Sequence, residues 1–78
     1  MKNKNKYIEI FLKSFSIDKK KFNEKIKYND IVEWDSIGHM TLMSDLEDGF
    51  NISINTDDII DFSSFKKGIQ ILKKYKVN

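Results

Sequence analysis

The residues best placed to do chemistry stand together in the stretch Trp34-Asp35-Ser36-Ile37-Gly38-His39-Met40. A carboxylate, a hydroxyl and an imidazole fall within it, the raw materials of nucleophilic catalysis. A serine nucleophile needs a base within hydrogen-bond reach and a third group to orient that base. His39 lies three residues after Ser36 on what reads as one helix. The helical wheel turns His39 toward the core, and no orienting group is evident. His39 therefore reads as a partly buried, hydrogen-bonded residue. Asp35 and Ser36 are both good helix N-cap residues, because their short side-chain oxygens accept hydrogen bonds from first-turn amides. A helix starts here with a serine hydroxyl at its mouth, and the plainest role for Ser36 is to cap it.

Other chemistries fare no better. The chain has no cysteine and a single histidine, so it offers neither a thiol nucleophile nor ligands at metal-binding spacing. Gly38, Gly49 and Gly68 are scattered and form no phosphate loop. Asp45, Glu47 and Asp48 read as a solvated acidic face, and Asp57, Asp58 and Asp61 do not fit a calcium loop. All fourteen basic residues are lysines, and they flank an acidic middle that would repel phosphate; arginine is absent. The sequence predicts neither an enzyme nor a nucleic-acid binder.

The elements that must position this stretch follow from periodicity. Ile8, Phe11, Leu12 and Phe15 make one apolar stripe and predict a first helix over Lys4 to Phe15. A long polar connection follows, with anchors at Ile17, Phe22, Ile26, Tyr28 and Ile31. Five spaced hydrophobes predict an ordered loop, with a helical turn near Lys19 to Asn23. The second helix should run from Ser36 to about Gly49, with Leu42, Met43, Leu46 and Phe50 facing the core. Ile37 and Met40 point away from that face, where a partner can dock. Phe50 to Asn55 alternates like a strand but has nothing to pair with, so it reads as an extended loop. Thr56 is the expected cap of a short acidic helix over Asp57 to Asp61. Ser63 or Ser64 should cap the last helix, Phe65 to about Tyr75, with Phe65, Ile69 and Leu72 as its stripe. The reading is all-α: three main helices, one short helix and a long first loop, in one domain spanning 1–78.

Seventy-eight residues suffice for one small core, and the six Phe, three Tyr and one Trp supply much of its area. No apolar run approaches a membrane span and no signal pattern opens the chain, so a soluble, cytoplasmic monomer is expected. The net charge of +2 conceals a block structure. Met1 to Tyr28 carries +6, Asn29 to Phe62 carries −9 with no basic residue, and Ser63 to Asn78 carries +5. The acidic block holds Ser36 and should attract basic partners.

With these elements in place, the chain resembles the acyl carrier proteins. Asp35-Ser36-Ile37 is similar to the family's Asp-Ser-Leu. Asp45-Leu46-Glu47-Asp48-Gly49-Phe50-Asn51-Ile52 resembles its Leu-Glu-Glu-x-Phe-Gly-Ile segment. Asp57-Asp58-Ile59 falls where the short third helix would be, and Ser64-Phe65 where the last helix begins. Nearly the whole chain is covered. The resemblance implies a four-helix acyl-carrier-like bundle and a carrier, not an enzyme. Ser36 would receive phosphopantetheine from coenzyme A through a separate, magnesium-dependent phosphopantetheinyl transferase. The arm's thiol would then carry acyl groups as thioesters. A phosphodiester there suits the positive end of a helix dipole. Asp35 would support the modification. Ile37 and Met40 would give apolar contacts, and Asp45, Glu47, Asp48, Asp57 and Asp58 would meet basic patches on acyl-loading and acyl-transfer enzymes. The interior would open to hold the acyl chain, lined by His39 and methionines.

Gly38, Thr41 and Gly49 stand where the family's helix usually has acids, and the two glycines weaken an interior helix by about 1 kcal/mol each. The Trp-Asp-Ser-Ile-Gly-His-Met version looks like specialised, free-standing carriers more than the main fatty-acid carrier. An aminoacyl or peptidyl carrier on the same fold is the alternative cargo reading. An unmodified helical interaction module, with Ser36 only a cap, is the alternative of another class.

Overall fold

The computed structural model describes all 78 residues and is all-helical. Its helices are α1 (Lys4–Phe15), α2 (Ser36–Phe50), α3 (Thr56–Asp61) and α4 (Phe65–Lys74), with a 3-10 turn at Lys19–Lys21. The three main helices, short helix and long first loop expected from the sequence are all present. No helix is long and apolar enough to cross a membrane.

In α1 the buried face is Tyr7, Phe11 and Phe15, while Ile8 and Leu12 are only partly covered. The expected stripe was thus turned slightly from the true one. Tyr7 wins the interior because its hydroxyl finds a buried acceptor, the carbonyl of Phe65 at 2.8 Å. Burial pushes that phenol's pKa well above the usual tyrosine value. The helix ends where Ser16 adopts the left-handed conformation and its amide turns back to the carbonyls of Leu12 and Lys13.

The long connection is pinned rather than free. Ile26 accepts a backbone hydrogen bond from Phe65 at 2.9 Å, Tyr28 donates to Ser63 at 2.9 Å, and Lys27 forms an isolated antiparallel bridge with Ser64. These bonds satisfy backbone groups that would otherwise be stranded beneath the loop. They fasten it along the α3–α4 joint and push Ile26 and Trp34 into the core, where they are 1% and 0% exposed. Trp34 packs on Phe11 and Phe15 with ring centroids 5.3 and 5.4 Å apart.

Two glycines mark close approaches. A Cβ on Gly38 would meet the carbonyl oxygen of Glu33, and one on Gly68 would meet the Tyr7 hydroxyl and the Phe62 ring. Both contacts demand a residue without a side chain, which outweighs the helix-propensity cost. Gly68 sits on the buried face of α4 with Phe65, Ile71 and Leu72, whereas Ile69 is half-buried.

The short helix begins one residue earlier than expected. Asn55, not Thr56, is its cap, its side-chain oxygen accepting from the amide of Asp58 at 2.9 Å. Ser64 caps α4 by accepting from Lys67 at 2.9 Å.

Candidate functional site

Asp35 and Ser36 divide the work at the start of α2. Asp35 keeps an extended backbone and its carboxylate accepts from the amide of Gly38 at 2.8 Å, so Asp35 is the cap. Ser36 is the first helical residue. The reading of Ser36 as the helix cap is overturned: its exposed hydroxyl accepts from no first-turn amide. Its Oγ instead lies 3.2 Å from the Tyr28 hydroxyl. The Gly38 contact brings the Glu33 carbonyl against the helix just behind this pair, which sets how the loop enters.

The hydroxyl opens onto a groove of about 380 Å³ between α2 and the α3–α4 joint. Tyr28, Met40, Ile59, Ile60 and Phe62 make its apolar lining, and Ser36, His39 and Ser63 complete it. A second, shallower depression runs along the outer face of α2, past Ile37, Met40, Thr41, Ser44 and Asp45. Ser36 borders both.

His39 lies in the floor of the groove and is spoken for on both nitrogens. The Trp34 indole N–H can only donate, so Nδ1 accepts from it, at 3.0 Å. Nε2 therefore carries the proton and donates to the carbonyl of Ile59 at 2.8 Å. Such a ring ties the loop, α2 and α3 together and has no lone pair to offer Ser36 as a base. No group of three or more histidines, cysteines and carboxylates is arranged to hold a metal ion.

Ile37 is 80% exposed and Met40 54%. Two further large apolar residues, Val32 and Ile60, are 87% and 73% exposed, and Ile60 lines the groove with Met40. Neither was singled out from the sequence. For Ile60 a signal existed: Ile59 and Ile60 are adjacent on one short helix, which can turn only one of them inward. For Tyr28 opposite Ser36 there was none, since the pairing is made by the loop's path.

The acids divide sharply. Asp48 and Asp57 are exposed with no bond to the fold. Asp45 is partly covered and accepts from the Ser14 hydroxyl of α1 at 2.7 Å. Glu47 accepts from the amide of Ile54 at 2.7 Å, bracing the extended segment after α2. Asp58 departs furthest from an exposed docking acid. It is 3% exposed and accepts from Lys74 and from the Tyr75 hydroxyl, both at 2.6 Å. It is a strut between α3 and α4, and these hydrogen bonds, that of Lys74 first, hold its carboxyl below the usual aspartate range. Glu33 is held low in the same way, chiefly by Lys21 at 2.8 Å.

Among known proteins, the chain is similar to the acyl carrier protein of Lactobacillus johnsonii, with 28% identity over 72 residues. The aligned region spans 92% of this chain and 90% of that relative. No protein-family model and no solved structure matches the chain.

Proposed function

We propose that this chain is an acyl carrier protein, a single domain over residues 1–78, whose Ser36 receives the phosphopantetheine arm. One observation carries the reading: Asp35 takes the capping role, leaving the Ser36 hydroxyl exposed at the positive end of a 15-residue helix, over an apolar groove. The similarity along nearly the whole chain to a protein of that name supports it.

The residues present fit the group. An exposed hydroxyl can be reached by a transferase, and a phosphodiester on it would lie at the open end of the α2 dipole. In the modification, the Ser36 oxygen bonds to the phosphorus that carries the pantetheine of coenzyme A. The bond from that phosphorus to the nucleotide phosphate breaks, adenosine 3′,5′-bisphosphate leaves, and the serine proton passes to a base of the transferase. Asp35 supports this step by placing a carboxylate beside the acceptor, where magnesium would bind in the transferase complex. Once attached, the arm supplies a thiol that the chain itself lacks, and holds acyl groups as thioesters.

Ile37 and Met40 serve as apolar contacts for partner enzymes, joined by Ile60, which lines the groove with Met40. Asp48 and Asp57, with Asp45 and Glu47 beside them, attract the basic patches of the transferase and of acyl-loading and acyl-transfer enzymes. Asp58 acts from within, by seating α3. The protein works as a monomer in the cytoplasm, in fatty-acid or, more in keeping with its Trp-Asp-Ser-Ile-Gly-His-Met stretch, specialised acyl metabolism.

The deciding experiment is an intact-mass spectrum after incubation with coenzyme A, magnesium and a broad-specificity phosphopantetheinyl transferase. The native chain should gain one phosphopantetheine and Ser36→Ala none. A folded native chain that stays unmodified beside a working control carrier would sink the reading and leave a helical interaction module.

A further inference from the structure

The groove beside Ser36 ends on a closed floor. His39 bridges three elements, donating to Ile59 at 2.8 Å and accepting from Trp34 at 3.0 Å. Its ring lies nearly parallel to the Trp34 indole, at an interplanar angle of 13°, and meets the edges of Tyr28 and Phe62 at 5.7 and 6.2 Å. Trp34 and Phe62 are closed to solvent. Behind them Tyr7, Phe11, Phe15 and Phe65 fill the interior ring against ring. The depressions in the molecule all open to solvent.

Close-packed aromatic plates cannot make way singly, because each is wedged by its neighbours. A chain passing between α2 and α3 would also break the His39 bonds and strand a buried indole N–H. The family resemblance implies His39 as a lining residue of an interior acyl pocket. Its ring instead closes the way in.

We propose, on the carrier reading above, that this protein carries short acyl groups and keeps them outside its core, with His39 as the seal that excludes long alkyl chains. The cargo rests on the groove at its exposed apolar side chains, Met40 and Ile60. The groove is lined mainly by apolar side chains and stays open to solvent, so a short acyl group can rest there without entering the core. Selection by partner enzymes then works with a carrier whose core offers a long chain no shelter.

The test loads the native chain from acetyl-, butyryl-, octanoyl- and lauroyl-coenzyme A with the same transferase, each product verified by mass. Two readouts follow: cleavage of each thioester by hydroxylamine, and amide and indole N–H chemical shifts by NMR. The four thioesters should be cleaved at rates within about twofold of one another. Shifts should stay at groove residues such as Met40, Ile60 and Ser63, leaving the Trp34 indole and the amides of Leu46 and Phe65 in place. Octanoyl or lauroyl thioesters cleaved fivefold or more slowly than acetyl, with the Trp34 indole moving, would overturn the proposal. In His39→Ala, long-chain protection should appear; if it does not, His39 is not the seal and the proposal fails in that respect. Should that variant not fold, the native series alone still decides. Failure to load any group counts against the carrier reading instead, and the mass spectrum separates the two.

Discussion

Tyr28 and Ser36 face each other hydroxyl to hydroxyl at 3.2 Å across the mouth of the groove, eight residues apart in the chain. The contact depends on the backbone bond from Tyr28 to Ser63, which holds the loop against the α3–α4 joint. Neither hydroxyl supports the core or a helix end, so each can change without cost to the fold.

Ser36→Ala should therefore leave stability within about 0.5 kcal/mol of the native chain, as expected of a surface position. Asp35→Ala should lose about 1 kcal/mol, the usual effect of removing a cap. Urea denaturation of the two variants side by side measures the difference. If the serine were the cap, the order would be reversed.

His39→Ala removes the ring that joins loop, α2 and α3, and leaves the Trp34 indole N–H buried without its acceptor. A loss of about 2 kcal/mol is expected, lowering Tm by roughly 10 °C in a domain this small. His39→Gln, which can still accept from the indole, should recover part of it. Thermal unfolding followed by circular dichroism reads both.

Asp58 makes stability sensitive to acid. Its carboxyl is held below its ordinary value of 3.8 in the folded chain, chiefly by Lys74 and then Tyr75, so the unfolded chain binds the proton more readily. The stabilisation is in full force well above pH 3.8 and falls away as the pH drops through that value and on through the lower folded one. Asp58→Asn should be less stable than the native chain at pH 7, and the gap should narrow toward pH 3. Denaturation midpoints measured across that range would show a constant gap if the carboxylate had no special partner.

Gly68→Ala tests the packing of α4. Alanine gains about 1 kcal/mol in helix propensity, yet its methyl group would press on the Tyr7 hydroxyl and the Phe62 ring. Overpacking of this kind costs about 1–3 kcal/mol, so the net change should be destabilising. A more stable variant in urea would mean the two rings give way easily.

Exposed acids should set how fast basic partners arrive. Asp48→Lys and Asp57→Lys should each slow modification of the chain by the transferase, through a raised KM, and the deficit should shrink as salt is added, since screening removes attraction between exposed charges. Asp58→Asn should leave the salt dependence unchanged.

The helices were legible in the sequence because each is local. A stripe of apolar residues, a capping side chain and a following break are all that α1, α2 and α4 need, and their bounds followed to within a residue. The dock of the loop was not legible. Its anchors at Ile17, Phe22 and Ile26 are readable, but the place of Trp34, the largest buried residue, is not, because a lone tryptophan in a polar segment carries no period.

By itself, the sequence determined that the chain is helical, that the second helix begins at Asp35-Ser36, and that the middle of the chain is acidic. Charge and periodicity need no partner in space. Only the tertiary structure decided which of two capping side chains takes the helix amides and which acids remain free. It also decided that Tyr28 meets Ser36 and that His39 bonds both Trp34 and Ile59. Each of these depends on a carbonyl, hydroxyl or amide brought from a distant part of the chain, and a hydrogen bond commits a side chain only when its partner has arrived.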